Sequence, residues 1–322
     1  MDWSRHLCVM LLAATSFAAS PASASSLTTV GSVPQARRPA GVPPEYVVTP
    51  NGLFHPSCVV KVEDGQSLSA SGAVLRADGG IAQPAGACAY PRFVVHGDSV
   101  ERVEPGMKPD YSGWVARSDS NANITPPAGS SDAIFNVPSA PTTKNGQVLY
   151  YFPGLEDGGA VQTILQPVLA WNGFSDARWT MTNWNCCKSG KTWHGATIPV
   201  NTGDKIKGTM KGSSCTGGVC ANWMISSTDK TTGQKTSFNT ESYGQAFDWY
   251  FGGVKEVYFV TQCSQYPANG SISFKKVHFY DTAGVETTPT DWNHWVAGGV
   301  PACNYQVTTT THTTTITFSA AQ

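Results

Sequence analysis

From Trp114 onward, short apolar stretches alternate with turn residues, and nothing repeats at a helical period. "WVARSD", "AIFNVP", "QVLYYFPGL", "TILQPVLAW", "RWTMTNW", "WHGATIPV", "DKIKGTMKG", "NWMISSTD", "KTSFNT", "FDWYFG", "VKEVYFVTQ" and "SISFKKVHFY" each fit a strand bounded by turn residues such as Gly, Pro, Asn or Asp. "NTGD" (201–204) and "KTTGQ" (230–234) read as hairpin-type breaks, and residues 158–161 as a single turn. The Thr-rich "QVTTTTHTTTITF" (306–318) reads as one final strand of stiff β-branched residues. So many short strands at near-regular spacing predict an all-β sandwich or barrel.

Two polar residues interrupt the apolar strands. Gln166 is an uncharged amide inside "TILQPVLAW", and burying it without hydrogen-bond partners is costly. Glu256 sits inside "VKEVYFVTQ", on the strand face of Val254, Tyr258 and Val260, while Gln166 shares a face with Ile164 and Val168. Facing water, each is an ordinary edge-strand polar residue. Facing one groove, they form a chemical pair. A partly buried carboxylate has a raised pKa and moves protons under acidic conditions, and an amide can polarise a carbonyl and hold the oxyanion that forms.

Upstream the pattern changes. "MDWSRHLCVMLLAATSFAASPASASS" carries Arg5 and His6, an apolar run from Leu7 to Ala14, and a small-residue close at Ala22, Ser23 and Ala24, which predicts a signal peptide over residues 1–24. That run is too short to cross a bilayer, and no later segment nears the roughly 20 apolar residues that spanning needs. The expectation is a secreted chain, extracellular or periplasmic, without a membrane span. Residues 25–108 hold a Pro/Ala/Ser-rich stretch and then a compact region from Tyr46 to about Val103 with "PNG" and "DGG" turns, too short for a substantial core of its own. The sandwich is expected over 109–322.

Of nine cysteines, Cys8 falls in the signal. The rest are Cys58, Cys88, Cys186, Cys187, Cys215, Cys220, Cys263 and Cys303, an even number that in an exported chain predicts disulfides. Cys215 and Cys220 close a local loop around "TGGV", and Cys58 is expected to pair with Cys88. Cys186 and Cys187 are then expected to reach Cys263 and Cys303, in an order that spacing leaves open. With no paired CxxC and no HExxH, disulfides win over zinc, and no metal is expected.

A net charge of −1 with only 13% charged residues argues against nucleic acid as a partner. GxSxG, P-loop and GxGxxG motifs are missing, and no cofactor is expected. His194, His278, His294 and His312 are scattered and read as surface or structural residues. Glu156, Asp157, Asp176, Asp204, Asp229, Glu241, Asp248 and Asp281 read mostly as turn acids; Glu256, within a strand, is the exception. Trp171, Trp179, Trp184, Trp193, Trp223, Trp249, Trp292 and Trp295 supply rings for a core or for a cleft. Asn123 and Asn269 head glycosylation sequons.

Over Tyr111 to Phe318 the chain resembles the eqolisin family of secreted glutamic peptidases. "SGWV" is similar to that family's opening strand, and "FNVPSAP" to its "F-x-VP-S" segment. "YYFPGLEDGGAVQTILQPV" is similar to its "WVGIDG…ILQ-x-G" segment, and "RWTMTNWN…ATIPVNTGDKIKGTM" to its "WYEW…ITIS-x-GD-x-I" run. "FDWYFGGVKEV" stands where the family has "AEWIVE". The resemblance implies a two-sheet antiparallel β-sandwich of lectin-like, jelly-roll type. It places the catalytic glutamine on Gln166 and the catalytic glutamate on Glu256, and it makes residues 25–108 a pro-segment of a zymogen. Departures are visible too. Tyr150, Tyr151 or Phe152 replaces a family Trp, and Thr182 or Asn183 replaces the "WYEW" acid. Gly252 and Gly253 lead into the glutamate, and "CC" lies outside the family's core pattern. A fainter resemblance reaches the neprosin-type glutamic peptidases, which use two glutamates; Gln166 favours the eqolisin arrangement.

The resulting expectation is a monomeric, acid-acting endopeptidase on protein or peptide substrates, with Tyr151, Trp179, Trp184 and Tyr258 as groove residues. Trp179 and Trp184 stand at odd spacing, so a regular strand sends them to opposite faces. The alternative is a carbohydrate-binding sandwich without catalysis, or a polysaccharide-cleaving enzyme on the same fold, with glycans as partners. Distance separates the two, because the peptidase needs Gln166 and Glu256 to meet across one concave sheet, whereas opposite faces would favour the binding module.

Overall fold

A computed structural model describes residues 38–97, 99–105, 111–158, 163–174, 177–298 and 301–321; the expected signal and most of the turn at 158–161 lie outside them. Among the described residues there is no α-helix, only short 3₁₀ turns between strands. The N-terminal strands are β1 (Val47–Thr49), β2 (Gly52–Phe54), β3 (Val59–Lys61), β4 (Ser67–Leu68), β5 (Val74–Leu75), β6 (Ile81–Gln83), β7 (Arg92–His96) and β8 (Ser99–Val103). There follow β9 (Trp114–Asp119), β10 (Ala128–Asn136), β11 (Val148–Glu156), β12 (Ile164–Trp171), β13 (Trp179–Cys186), β14 (Thr192–His194) and β15 (Ile198–Val200). The chain continues with β16 (Lys205–Thr216), β17 (Val219–Asp229), β18 (Lys235–Glu241), β19 (Trp249–Tyr258), β20 (Ser271–Asp281), β21 (Asn293–Val296), β22 (Gln306–Thr310) and β23 (Thr313–Thr317).

Two large sheets form a sandwich. One has ten strands in the order β22-β23-β20-β10-β16-β17-β18-β4-β5-β6. The other has nine, β21-β9-β19-β11-β12-β13-β14-β3, with β15 also on β13. A small third sheet is β1-β2-β7-β8. The long ladders are antiparallel, and two pairings with N-terminal strands are parallel, β3 on β14 and β4 on β18.

The residue pattern explains the layering. Along β16, Lys205 and Lys211 are exposed while Ile206 and Met210 are buried, so one face meets the core and the other meets water. By contrast β11, β12 and β13 are buried at every residue. Their runs do not alternate because apolar neighbours lie on both sides. On the inner side Leu149, Tyr151, Leu165, Leu169 and Met181 meet Phe135, Ile206, Met210, Ile225 and Phe274. On the outer side Tyr150, Phe152, Val168, Ala170, Trp184 and Val254 are covered by Val48, Leu53, Phe54 and Phe93. The sheet β1-β2-β7-β8 is thus a third layer over the outer face of the nine-stranded sheet, while β3 and β4–β6 extend the two large sheets.

Several sequence expectations change in detail. "FDWYFG" and "VKEVYFVTQ" join into one strand, β19, kinked at Gly252 and Gly253, where its register with β11 shifts. A Cβ on Gly253 would lie 2.3 Å from the Phe274 ring, so only glycine lets the two sheets approach there. The Thr-rich tail is a hairpin, since Thr310 pairs with Thr313 around a two-residue turn. Its near-uniform threonines hide the reversal, because they carry no apolar alternation to mark where one strand stops. "NTGD" carries the chain from β15 in one sheet to β16 in the other, whereas "KTTGQ" does turn a hairpin, β17–β18.

Cys58–Cys88 and Cys215–Cys220 pair as expected. The remaining expectation fails: Cys186 bonds to its neighbour Cys187, and Cys263 to Cys303. Register supplies the reason. Cys186 lies opposite Ile164, Ile164 opposite Glu156, and Glu156 opposite Trp249. The adjacent cysteines therefore sit level with the start of β19, while Cys263 lies beyond its far end, about 30 Å away at the rise of an extended strand.

Candidate active site

Gln166 and Glu256 project from the same face of the nine-stranded sheet, the one under the N-terminal layer, and both are fully buried. The turn between β1 and β2 reaches down onto Gln166. Its Oε1 accepts from Asn51 Nδ2 at 3.2 Å, and its Nε2 donates to the Pro50 carbonyl at 3.4 Å. The amide that interrupts an apolar strand is therefore satisfied, by backbone and side chain of the covering segment rather than by its own sheet.

Glu256 lies elsewhere on that face. Tyr150 pairs with Glu256 on one side, and the β11–β12 register sets Gln166 opposite Gly154. The two are thus offset by two strands and four residues, roughly 10 Å across and 13 Å along at standard spacings. Phe152, buried on the same face, stands at the midpoint. The carboxyl of Glu256 accepts from Tyr258 Oη at 2.5 Å and from the Trp114 side chain. Burial holds its pKa well above the usual carboxylate range despite these two donors.

A second acid stands nearer the amide. Glu156 ends β11 opposite Ile164, on the face of Phe152, which makes it the diagonal neighbour of Gln166. Diagonal pairs lie about 7–8 Å apart between Cα atoms, within reach of two long side chains and one water. Glu156, Ile164, Asn51, Arg92 and Trp114 border a cavity of about 20 Å³, room for about one water. Glu156, one of the acids expected mostly in turns, instead closes a strand. The one legible signal was its even spacing from Phe152.

The four expected groove residues divide between faces. Trp184 packs against Phe174 and His194 under the N-terminal layer, and Tyr258 bonds Glu256 there. Tyr151 and Trp179 point the other way, into the core between the two sheets, where Tyr151 Oη accepts from Lys255 Nζ at 2.9 Å. Asn183 also turns inward, donating to the Thr236 carbonyl and accepting from Ser227. At the β9–β19 side the layer leaves an open cleft of about 380 Å³ lined by His96, Tyr111, Trp114, Arg117 and Trp295. The Arg117 guanidinium lies 4.9 Å from the Tyr111 ring and 5.1 Å from that of Trp295, and it pairs with Asp119 at 3.3 Å. Among the described residues, a three-member cluster of metal-ligating type, His278, Glu286 and His312, lies away from this face.

No protein-family model matches the chain, and no curated protein does. Solved structures do. Scytalido-glutamic peptidase with a peptide-based transition state analog is similar at 16% identity and a TM-score of 0.47, over 64% of this chain and 98% of that one. SCP-B, a member of the eqolisin family of peptidases in complex with the tripeptide Ala-Ile-His, is similar at 17% identity and a TM-score of 0.45, over the same shares. The CBM2 module of the Lactobacillus casei BL23 phage J-1 evolved Dit is similar at 8% identity and a TM-score of 0.26, over 48% of this chain and 75% of that module.

Proposed function

We propose that this protein is a secreted, acid-acting endopeptidase held in a zymogen form, with its water-activating carboxyl and its oxyanion-binding amide on the covered face of the nine-stranded sheet. The observation that carries the reading is the position of Gln166: a buried amide on a sheet face shared by two carboxyls, its polar atoms occupied by a segment of the same chain. Glu156, as the diagonal neighbour, takes a proton from a water that attacks the scissile carbonyl. Gln166 Nε2 donates to the resulting oxyanion, and the protonated carboxyl then returns its proton to the leaving amine. Glu256, next to Tyr258 and Trp114, shapes the far end of the groove. Residues 25–108 form the pro-segment, with Pro50 and Asn51 standing where substrate backbone would lie. Four disulfides among the described residues accord with an oxidising compartment outside the cell.

Digestion of a denatured protein at about pH 3 to 4 tests this, using secreted protein incubated in acid beforehand. Wild type should cleave, Glu156→Gln should not, and Gln166→Ala should fall by about 10²–10³ in kcat, the usual cost of losing one oxyanion donor. Loss in Glu256→Gln with retention in Glu156→Gln moves the base to Glu256. Full activity in Gln166→Ala, or a rate that stays flat up to pH 8, sinks the mechanism. A folded wild type that never cleaves sinks the peptidase.

A further inference from the structure

On the opposite outer surface, the ten-stranded sheet gathers three side chains that the peptidase reading does not use. We infer that His278, Glu286 and His312 form a binding site for a divalent transition ion of the zinc class. His278 sits on β20, pointing outward because its neighbours Val277 and Phe279 enter the core. Glu286 is folded back over the same strand by the reversal after β20, where the Asp281 amide donates to the Val285 carbonyl and the Thr287 amide to the Phe279 carbonyl. His312 occupies the turn between β22 and β23, and its carbonyl accepts from the Val277 amide. Three separate elements thus deliver one group each, and backbone hydrogen bonds fix all three.

The distances suit an ion. His278 Nδ1 lies 3.0 Å from Glu286 Oε1, and His312 Nδ1 lies 3.5 Å from the same oxygen. The three donor atoms all fall within 4.8 Å of one another. In a tetrahedral site with metal–ligand bonds of about 2.1 Å, ligand atoms stand about 3.4 Å apart, so these donors already lie close to the edges of such a polyhedron. The orientation is supported from outside the trio. Thr288 Oγ1 donates to Glu286 Oε1 at 2.9 Å, and the Tyr280 ring stacks on His278. Two imidazoles and one carboxylate select zinc-like ions over calcium or magnesium, and three protein ligands leave a position for water.

The competing explanation is an ion-free trio held by hydrogen bonds, in which a neutral His278 Nδ1–H donates to Glu286 Oε1 at 3.0 Å. An ion titration separates the two readings. An ion uses the neutral forms. His312 Nδ1 also stands 3.1 Å from the Val277 carbonyl; on binding, its proton moves to Nε2 and the ion takes the place of that hydrogen bond. No sequence spacing reveals the site, because its ligands come from a strand, a reversal and a hairpin turn.

The test is titration of the full-length, disulfide-intact chain with ZnCl₂ at pH 7.5, read by calorimetry and by melting temperature. One ion per chain should bind saturably and raise the melting temperature, and CoCl₂ should give the intense visible absorption of a tetrahedral site. Glu286→Gln and His312→Ala should each remove the binding while the far-ultraviolet dichroism is unchanged. His294→Ala, at another exposed histidine, should bind as wild type does. Absence of saturable binding overturns the proposal, as does binding that survives His312→Ala and Glu286→Gln together.

Discussion

Lys255 and Glu256 are neighbours in sequence, both fully buried, and they face opposite sides of β19. Lys255 points into the sandwich, its Nζ 2.9 Å from Tyr151 Oη, 3.5 Å from the Tyr266 ring centre and 4.0 Å from that of Phe318. Burial drives its pKa well below that of an ordinary lysine, so the fold disfavours the ammonium form. The unfolded chain then binds a proton that the folded chain does not, and stability falls as pH drops from about 10.5 towards the folded value. Glu256 has the opposite sign: its folded pKa is raised, so its cost is absent below about 4.5 and grows as pH rises towards the folded value. Replacing Lys255 with Met, a linear side chain of similar volume, should leave the melting temperature unchanged or higher at pH 7, whereas Lys255→Ala should lose about 2–4 kcal/mol through a cavity. Glu256→Gln should melt higher than wild type at pH 7 and alongside it near pH 4. Urea unfolding at the two pH values checks both; a Glu256→Gln variant weaker than wild type at pH 7 contradicts the assignment. At this scale Gln166 was legible as the one polar break in its strand. Glu156 was not, since only the pairing of β11 with β12 shows that it neighbours the amide.

Strand positions came through the sequence well, because period and turn residues are local properties. "WVARSD" coincides with β9, and most other strands match to within a few residues. Sheet membership was hidden, because it depends on register between distant segments. The β14–β3 seam is the clearest case: a three-residue edge strand pairs in parallel with a strand of the N-terminal region. His194 closes that seam. Its carbonyl accepts from the Val62 amide, and its ring lies buried against Phe174 and Trp184. Burial pulls its pKa from 6.5 down to about 4, with a push from Lys61, against the Gly195 carbonyl and Glu63, which favour the proton. The sign follows directly. Stability from neutral His194 is complete above pH 6.5 and is lost as pH falls from there to about 4, a change of about 3 kcal/mol. Acidification should therefore loosen the seam between the N-terminal layer and the sheet. The protection factor of the Val62 amide, taken relative to the intrinsic exchange rate at each pH, should fall between pH 6.5 and 4.5, and His194→Phe should flatten that dependence. Equal pH slopes in variant and wild type would show that another group controls the seam.

The whole molecule is three layers rather than two, and this was the least legible feature. Composition and spacing pointed to a sandwich, and the family resemblance to two sheets with a small region ahead of them. The strands themselves said otherwise. β11, β12 and β13 carry large apolar side chains on both faces, which a sheet open to water on one side would not tolerate. Val48, Leu53, Phe54 and Phe93 supply the missing cover. If the layer is a pro-segment, its removal should expose Trp184 and Tyr258 to solvent; a red shift of tryptophan fluorescence accompanying acid processing checks this, and an unchanged spectrum contradicts it.

The parallel pairings of β3 with β14 and β4 with β18 have another effect. Each places an N-terminal strand along a rim where the later chain's ladder would otherwise stop. A form of the protein lacking residues 38–105 would present two rows of unsatisfied backbone donors and acceptors, one per sheet. Such rims recruit extended chain, whether a substrate laid alongside as an added strand or another copy of the molecule.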